Sequence, residues 1–220
     1  SRKDSSIAPM KRSSELRRGL AIGLTGGIAC GKSAAGDFMH EQGAAVLDAD
    51  RVAHDLLAKG APVYNQVIAR FGPSILGPGG DIDRSKLGRM IFEDEAGRAA
   101  LNELTHPAVM AEIKSWVERT RRTGRDAVVL IPLLFEINAV EGWDAIVCVA
   151  ADEAVALKRL KERGLTEHDA KRRMAAQLPI EEKAKRSGFV IRNNGSMEAL
   201  KKETERVYAS IREKEKKAHV

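Results

Sequence analysis

The sequence predicts an α/β fold: a three-layer α/β/α arrangement around a five-stranded parallel sheet, with a helical insertion and a lid. Three observations predict it. Five short apolar runs alternate with stretches of helical periodicity along the 220 residues. Two of those runs, Val128-Val129-Leu130-Ile131 and Ile146-Val147-Cys148-Val149, are continuously apolar, as strands covered on both faces are. Between the first run and the first helical stretch stands Gly26-Gly27-Ile28-Ala29-Cys30-Gly31-Lys32-Ser33, which fits G-x-x-x-x-G-K-[ST], the phosphate-binding P-loop.

Taken in order, residues 20–24 form the first strand and residues 32–41 the first helix, where Ala34, Ala35, Phe38 and Met39 supply helical spacing. Gly43 stops that helix, and residues 44–47 form a second strand ending in Asp48-Ala49-Asp50. Helical pattern resumes over 51–59 and 63–71. Residues 72–83, with Gly72, Pro73, Gly77, Pro78, Gly79 and Gly80, read as a loop. From 84 to 122 the pattern is helical again, with breaks expected at Gly97 and Pro107. Strands follow at 128–131 and 146–149, helices at 154–161 and from a Thr166/Asp169 capping pair to Gln177, a strand at 189–191 and a last helix at 197–211. Strands alternating with helices imply right-handed crossovers. The domain is expected to occupy residues 19–211, with an acceptor-binding insertion over 60–122, a lid over 159–180 and charged tails at 1–18 and 212–220.

Each P-loop position has a physical job. Gly26 and Gly31 allow the tight turn that aims successive N–H groups at a polyphosphate. Lys32 brings a point charge to the β/γ-phosphates, Ser33 is placed to ligate Mg²⁺, and the following helix adds the positive end of its dipole. Asp48 and Asp50 end the second strand at the same sheet edge. A carboxylate there can take a proton from an incoming hydroxyl or hold Mg²⁺ through water; the alternative is that both only cap the next helix, for which Asp50 is well placed. Arg159, Arg163 and Arg173 bracket a Gly164-Leu165 break, either as cations that close over phosphates or as solvated surface arginines. No carboxylate ends the 128–131 run, so Mg²⁺ is expected on Ser33, the phosphates, waters and Asp48.

Composition narrows the function classes. The net charge is +6, but residues 1–18 carry +4 and residues 211–220 carry +2, so the body between them has no basic footprint for nucleic acid. No apolar run is long enough to cross a bilayer, and residues 1–18 show no apolar signal-peptide core. Two cysteines, Cys30 and Cys148, do not make a disulfide scaffold, so a reducing cytoplasm is expected. The chain contains neither Asn-Lys-x-Asp for reading guanine nor Leu-Ser-Gly-Gly-Gln of transporter ATPases. A single P-loop in a chain of this size favours a small-molecule kinase. A kinase of another nucleoside or sugar alcohol, and a nucleotide-dependent switch or nucleic-acid factor, stay open on these grounds.

Longer strings are more specific. Ile22-Gly23-Leu24-Thr25-Gly26-Gly27-Ile28 with Cys30-Gly31-Lys32-Ser33, Asp48-Ala49-Asp50, Phe71-Gly72, Ile82-Asp83-Arg84 with Leu87, His106-Pro107, Pro132-Leu133-Leu134-Phe135-Glu136, Arg173 with Gln177, and Asn193-Asn194-Gly195-Ser196 together resemble the dephospho-coenzyme A kinase family over residues 20–211. The resemblance implies ATP-dependent phosphorylation of the ribose 3′-hydroxyl of dephospho-CoA, with small-molecule partners only and a monomer or weak homo-oligomer. It implies Asp50 as the base, residues 29–34 as the phosphate cradle, and Arg159, Arg163 and Arg173 as lid cations. By the same resemblance Asn193 lies in the segment that approaches adenine, and Arg84 and His106 lie on the acceptor side. Four positions depart from the family pattern: Ala29 for Gly, Cys30 for Ser, Ala34 for Thr and Gly188 for Asp. A methyl group at 29 is expected to fit with a negative φ there.

Overall fold

A computed structural model describes residues 18–91 and 94–218. Five parallel strands form its sheet: β1 (Ala21–Gly26), β2 (Ala45–Asp48), β3 (Ala127–Leu130), β4 (Ala145–Ala150) and β5 (Phe189–Arg192). They lie in the order β2-β3-β1-β4-β5. Because β1 has β3 on one side and β4 on the other, the winding direction changes at β1. A crevice therefore opens outside its C-terminal end, where open α/β sheets bind ligands.

The pleat sorts the strand side chains into two cores. Ile22, Leu24, Val128, Leu130, Val147 and Val149 pack with Ala35 and Met39 of α1 (Lys32–Glu41) and with Leu200, Val207 and Ile211 of α9 (Met197–Ala218). Ala21, Ala127, Val129 and Ile131 face the other way, onto Val52 of α2 (Ala49–Leu56) and Val109, Ile113 and Val117 of α5 (Glu95–Arg122). Each large aliphatic side chain buried this way contributes roughly 2 kcal/mol. The two cores fix α1 and α2, whose N-termini flank the crevice.

The region between β2 and β3 is helical: α3 (Tyr64–Phe71), a 3-10 turn at Pro73–Ile75, α4 (Arg84–Ile91) and α5. Val63, Val67, Ile75 and Leu87 make a small core there against Leu101 and Leu104 of α5. The stretch read as loop holds the 3-10 turn and a Leu76–Ile82 bridge. After β4 come α6 (Glu153–Glu162), α7 (Glu167–Ala175) and α8 (Ile180–Arg186), with Ala184 of α8 packed on Cys148 and Ala150 of β4.

Three elements differ from the sequence reading. No helix boundary occurs at Gly97 or Pro107: α5 is one 28-residue helix through both. Asp94 caps it by accepting from the Gly97 N–H at 2.9 Å, so Gly97 belongs to the first turn. Pro107 and Glu103, whose carbonyl loses its helical partner, are both exposed, so the missing hydrogen bond falls on the solvent side of the helix. A short helix, α8, occupies the stretch before β5. Finally, α9 continues seven residues past 211 to Ala218. Its continuation is tied down: Tyr208 donates to Asp126 Oδ2 at 2.6 Å, and Arg212 Nε lies 3.6 Å from the same oxygen. The basic segment at 1–18 lies outside the described residues except for Arg18, which pairs with Glu118 at 2.8 Å.

Candidate active site

A cavity of about 700 Å³ opens at the C-terminal ends of the strands. Its floor is the loop leaving β1. Cys30 N–H donates to Gly27 carbonyl at 3.2 Å, and the loop ends at Gly31, the left-handed N-cap of α1 at φ 95°. No side chain caps α1, so its first-turn amides are available to an anion. Gly31 is required twice over: its φ suits glycine, and a Cβ would stand 2.3 Å from Asn193 Nδ2.

The backbone at Ala29 corrects the sequence expectation. Its φ is +58°, not negative, so this alanine adopts the left-handed conformation at a cost of about 1 kcal/mol. The strained segment is clamped from outside. Arg159 donates to the Ala29 carbonyl at 3.3 Å and to Asn193 Oδ1 at 3.2 Å, while Asn193 Nδ2 donates to the Cys30 carbonyl at 2.8 Å. Gln177 Oε1 accepts from the Ile28 N–H at 3.2 Å. Cys30 contributes only backbone to this side of the loop, since its thiol is buried in the core. Burial raises that thiol, and it pushes Cys148 up to about 12, so neither is a thiolate nucleophile.

Across the cavity stand Lys32 and the acidic end of β2. Burial lowers the Lys32 ammonium, opposed by the charges of Asp48 and Asp50. Asp48 is the N-cap of α2: its Oδ1 accepts from the Asp50 N–H at 2.9 Å. Capping thus belongs to Asp48, and Asp50 is left in the first turn with its carboxyl in the cavity wall. Partial burial and the neighbouring Asp48 raise Asp50, opposed by Lys32 and Arg84. A carboxylate close to a lysine, with access to a cavity, can accept a proton beside a bound phosphate.

The cavity brings together Gly26, Gly27, Ile28, Ala29, Gly31, Lys32, Ser33, Ala34, Asp50, Arg159, Arg163 and Asn193. Arg173, exposed on α7, and His106, half-buried midway along α5, are not part of its wall. Arg84 borders Asp50 electrostatically without lining the cavity. Asn193 is buried, and both ends of its amide are engaged by the loop and Arg159, so within its segment the open wall is Gly195 and Met197.

Sequence reasoning missed Lys183. This side chain on α8 is fully buried; its Nζ pairs with Glu136 Oε1 at 2.7 Å and donates to the Pro132 carbonyl at 2.8 Å. Glu136 also accepts from the Leu178 N–H at 3.0 Å. The pair therefore roots the segment after α7 on the loop after β3, beside the cavity-lining Pro132. The sequence supplied half the signal: Glu136, after an apolar string, needed a partner if buried. Met197 was missed too, a large apolar side chain 59% exposed at the cavity edge.

A model of the dephospho-CoA kinase family matches residues 20–199. The chain belongs to the dephospho-CoA kinase family. It is 45% identical over 186 residues to the dephospho-CoA kinase of Geobacillus kaustophilus, covering 84% of this chain and 92% of that one. It is 41% identical over 193 residues to that of Arabidopsis thaliana, covering 87% and 83%. Among solved structures, TT1252 from Thermus thermophilus superposes with a TM-score of 0.74 at 32% identity, covering 88% of this chain and 98% of that one. The dephospho-CoA kinase from Campylobacter jejuni superposes with a TM-score of 0.61 at 28% identity, covering 87% and 96%. A shikimate kinase from Acinetobacter baumannii, at 16% identity and a TM-score of 0.52, shares the fold. As a dephospho-CoA kinase family member the chain is an ATP-dependent phosphotransferase acting on an alcohol in coenzyme A biosynthesis. The fold and family expected from the sequence both hold. Among the described residues, no helix is long and apolar enough to cross a membrane.

Proposed function

We propose that the chain transfers the γ-phosphoryl group of ATP to the ribose 3′-hydroxyl of dephospho-CoA, with Asp50 as the base. The observation that carries this reading is the meeting of Asp50, Lys32 and the P-loop amides on one cavity. The β- and γ-phosphates rest on the loop and the first turn of α1, and Lys32 compensates their charge. The 3′-hydroxyl approaches from the Asp50 side, and Asp50 takes its proton as the oxygen attacks in line. Arg159 and Arg163 bring cationic charge to the phosphate side; Arg173 joins them only if α7 moves inward. Arg84 and His106 serve the acceptor from the helical insertion.

Mg²⁺ fits the donor set. Ser33 lines the cavity, and its hydroxyl and the carboxyl group of Asp48 are hard oxygens. That suits an ion held by Ser33 and phosphate oxygens, with Asp48 reached through water. When bound, the ion neutralises charge on the β- and γ-phosphates.

The expected setting is cytoplasmic, with a monomer or weak homo-oligomer and no nucleic-acid partner. An ADP-release assay against a panel of alcohols, with the product's phosphate position read by ³¹P NMR, tests the reading. Turnover is expected with dephospho-CoA and a monoester at the 3′ oxygen. No turnover with dephospho-CoA, or another site of phosphorylation, rejects it.

A further inference from the structure

On α2, Asp50 and His54 are four residues apart and so share one face. Arg84, the first residue of α4, reaches across to that face. Its Nη1 lies 2.9 Å from His54 Nδ1, and its charge acts on the Asp50 carboxyl. The base of Arg84 is fixed by Asp83, whose Oδ1 accepts from the N–H groups of Ser85 at 2.9 Å and Lys86 at 3.1 Å, capping α4. Two helices from different parts of the chain thus aim one guanidinium beside Asp50.

The chemistry of the partner matters. A guanidinium only donates, so His54 Nδ1 must accept, with the ring proton on Nε2 and the ring neutral. Arginines held by protein side chains are commonly held by carboxylates, which cancel their charge. A neutral imidazole fixes the direction of Arg84 and leaves its positive charge intact.

We propose that His54 is the positioning residue of Arg84, and that it acts as a neutral acceptor so that Arg84 keeps its full charge for an anionic oxygen of the acceptor substrate. This rests on the reading of Asp50 as the acceptor side; dephospho-CoA supplies such oxygens in its diphosphate. His54 itself touches neither phosphate nor hydroxyl in this arrangement.

Steady-state kinetics with dephospho-CoA and ATP varied separately test it, on the parent enzyme, Arg84→Ala, His54→Leu, His54→Asn and His54→Glu, and on the double variant Arg84→Ala/His54→Leu. His54→Leu is expected to raise the KM for dephospho-CoA ~10-fold with the KM for ATP within ~2-fold of the parent. His54→Asn presents an oxygen where Nδ1 was and is expected to recover all but ~3-fold. His54→Glu keeps an acceptor but cancels the charge, so it is expected to stay impaired. The double variant is expected to match Arg84→Ala, because His54 acts through it. Parental KM in His54→Leu, recovery in His54→Glu equal to that in His54→Asn, or additive losses in the double variant each overturn the proposal alone. Parental KM in Arg84→Ala overturns it together with the acceptor-side role of Arg84.

Discussion

The side-chain amide of Asn193, at the end of β5, donates to the carbonyl of Cys30 in the P-loop across 2.8 Å and 163 residues of chain. Both groups are buried. Replacing Asn193 with Ala leaves the Cys30 carbonyl unpaired, at a cost of about 1–3 kcal/mol. It also frees one end of Arg159, since Asn193 Oδ1 holds it at 3.2 Å. The expected result is a lower Tm and a several-fold higher KM for ATP, with the KM for dephospho-CoA little changed.

Asp50→Asn removes the proposed base and keeps the shape. Turnover is expected to fall ~10²-fold or more while calorimetry still shows ATP binding. Parental turnover would mean Asp50 is not the base. The direction of its shift also fixes a pH effect. Burial and Asp48 raise Asp50 above the ordinary 3.8, and the base must be ionised, so activity in the parent should decline with falling pH already above that value. For stability the sign is opposite to that of a paired carboxylate: a pKa raised on folding means ionised Asp50 weakens the native state at neutral pH. Asp50→Asn should therefore melt no lower than the parent, the usual trade between site and scaffold.

Lys183→Met strips Glu136 of its buried partner. Among the described residues Glu136 Oε2 already lacks a hydrogen bond, so the carboxylate has no reserve. A loss of about 3–5 kcal/mol in chemical denaturation is expected. The double change Lys183→Met/Glu136→Leu should recover much of it, because the isolated charge is then gone. If the double variant is no better than the single, burial of charge is not the cause.

Ala29→Gly tests the strain in the loop. Glycine relieves the left-handed cost at φ +58° but gives the unfolded chain more freedom. The balance is a gain of about 0.5 kcal/mol, read as a small rise in midpoint denaturant concentration, with ATP turnover preserved.

The sheet was legible because strands covered on both faces must be apolar throughout, and runs such as Val128-Val129-Leu130-Ile131 have few other uses. The P-loop was legible because its chemistry constrains adjacent residues. Boundaries set by a single residue were not. Pro107 reads as a stop, yet it sits on the exposed face, and the long packed stripe of Val109, Ile113 and Val117 keeps the helix going. Lys183 was illegible for the opposite reason. A lysine in a charged heptapeptide reads as solvated, and only the fold brings Glu136 and the Pro132 carbonyl to it. Asp48 and Asp50 were found as a pair, but which one caps and which faces the cavity depends on where α2 starts.

The Asn193–Cys30 clamp also bears on biosynthesis of the protein itself. The loop that leaves β1 is made early, but the amide that closes it is added some 160 residues later. A ribosome-bound chain arrested before β5 would present the P-loop sequence without its fastening. A chain that ends before β5 is therefore expected to bind nucleotide more weakly than the full chain.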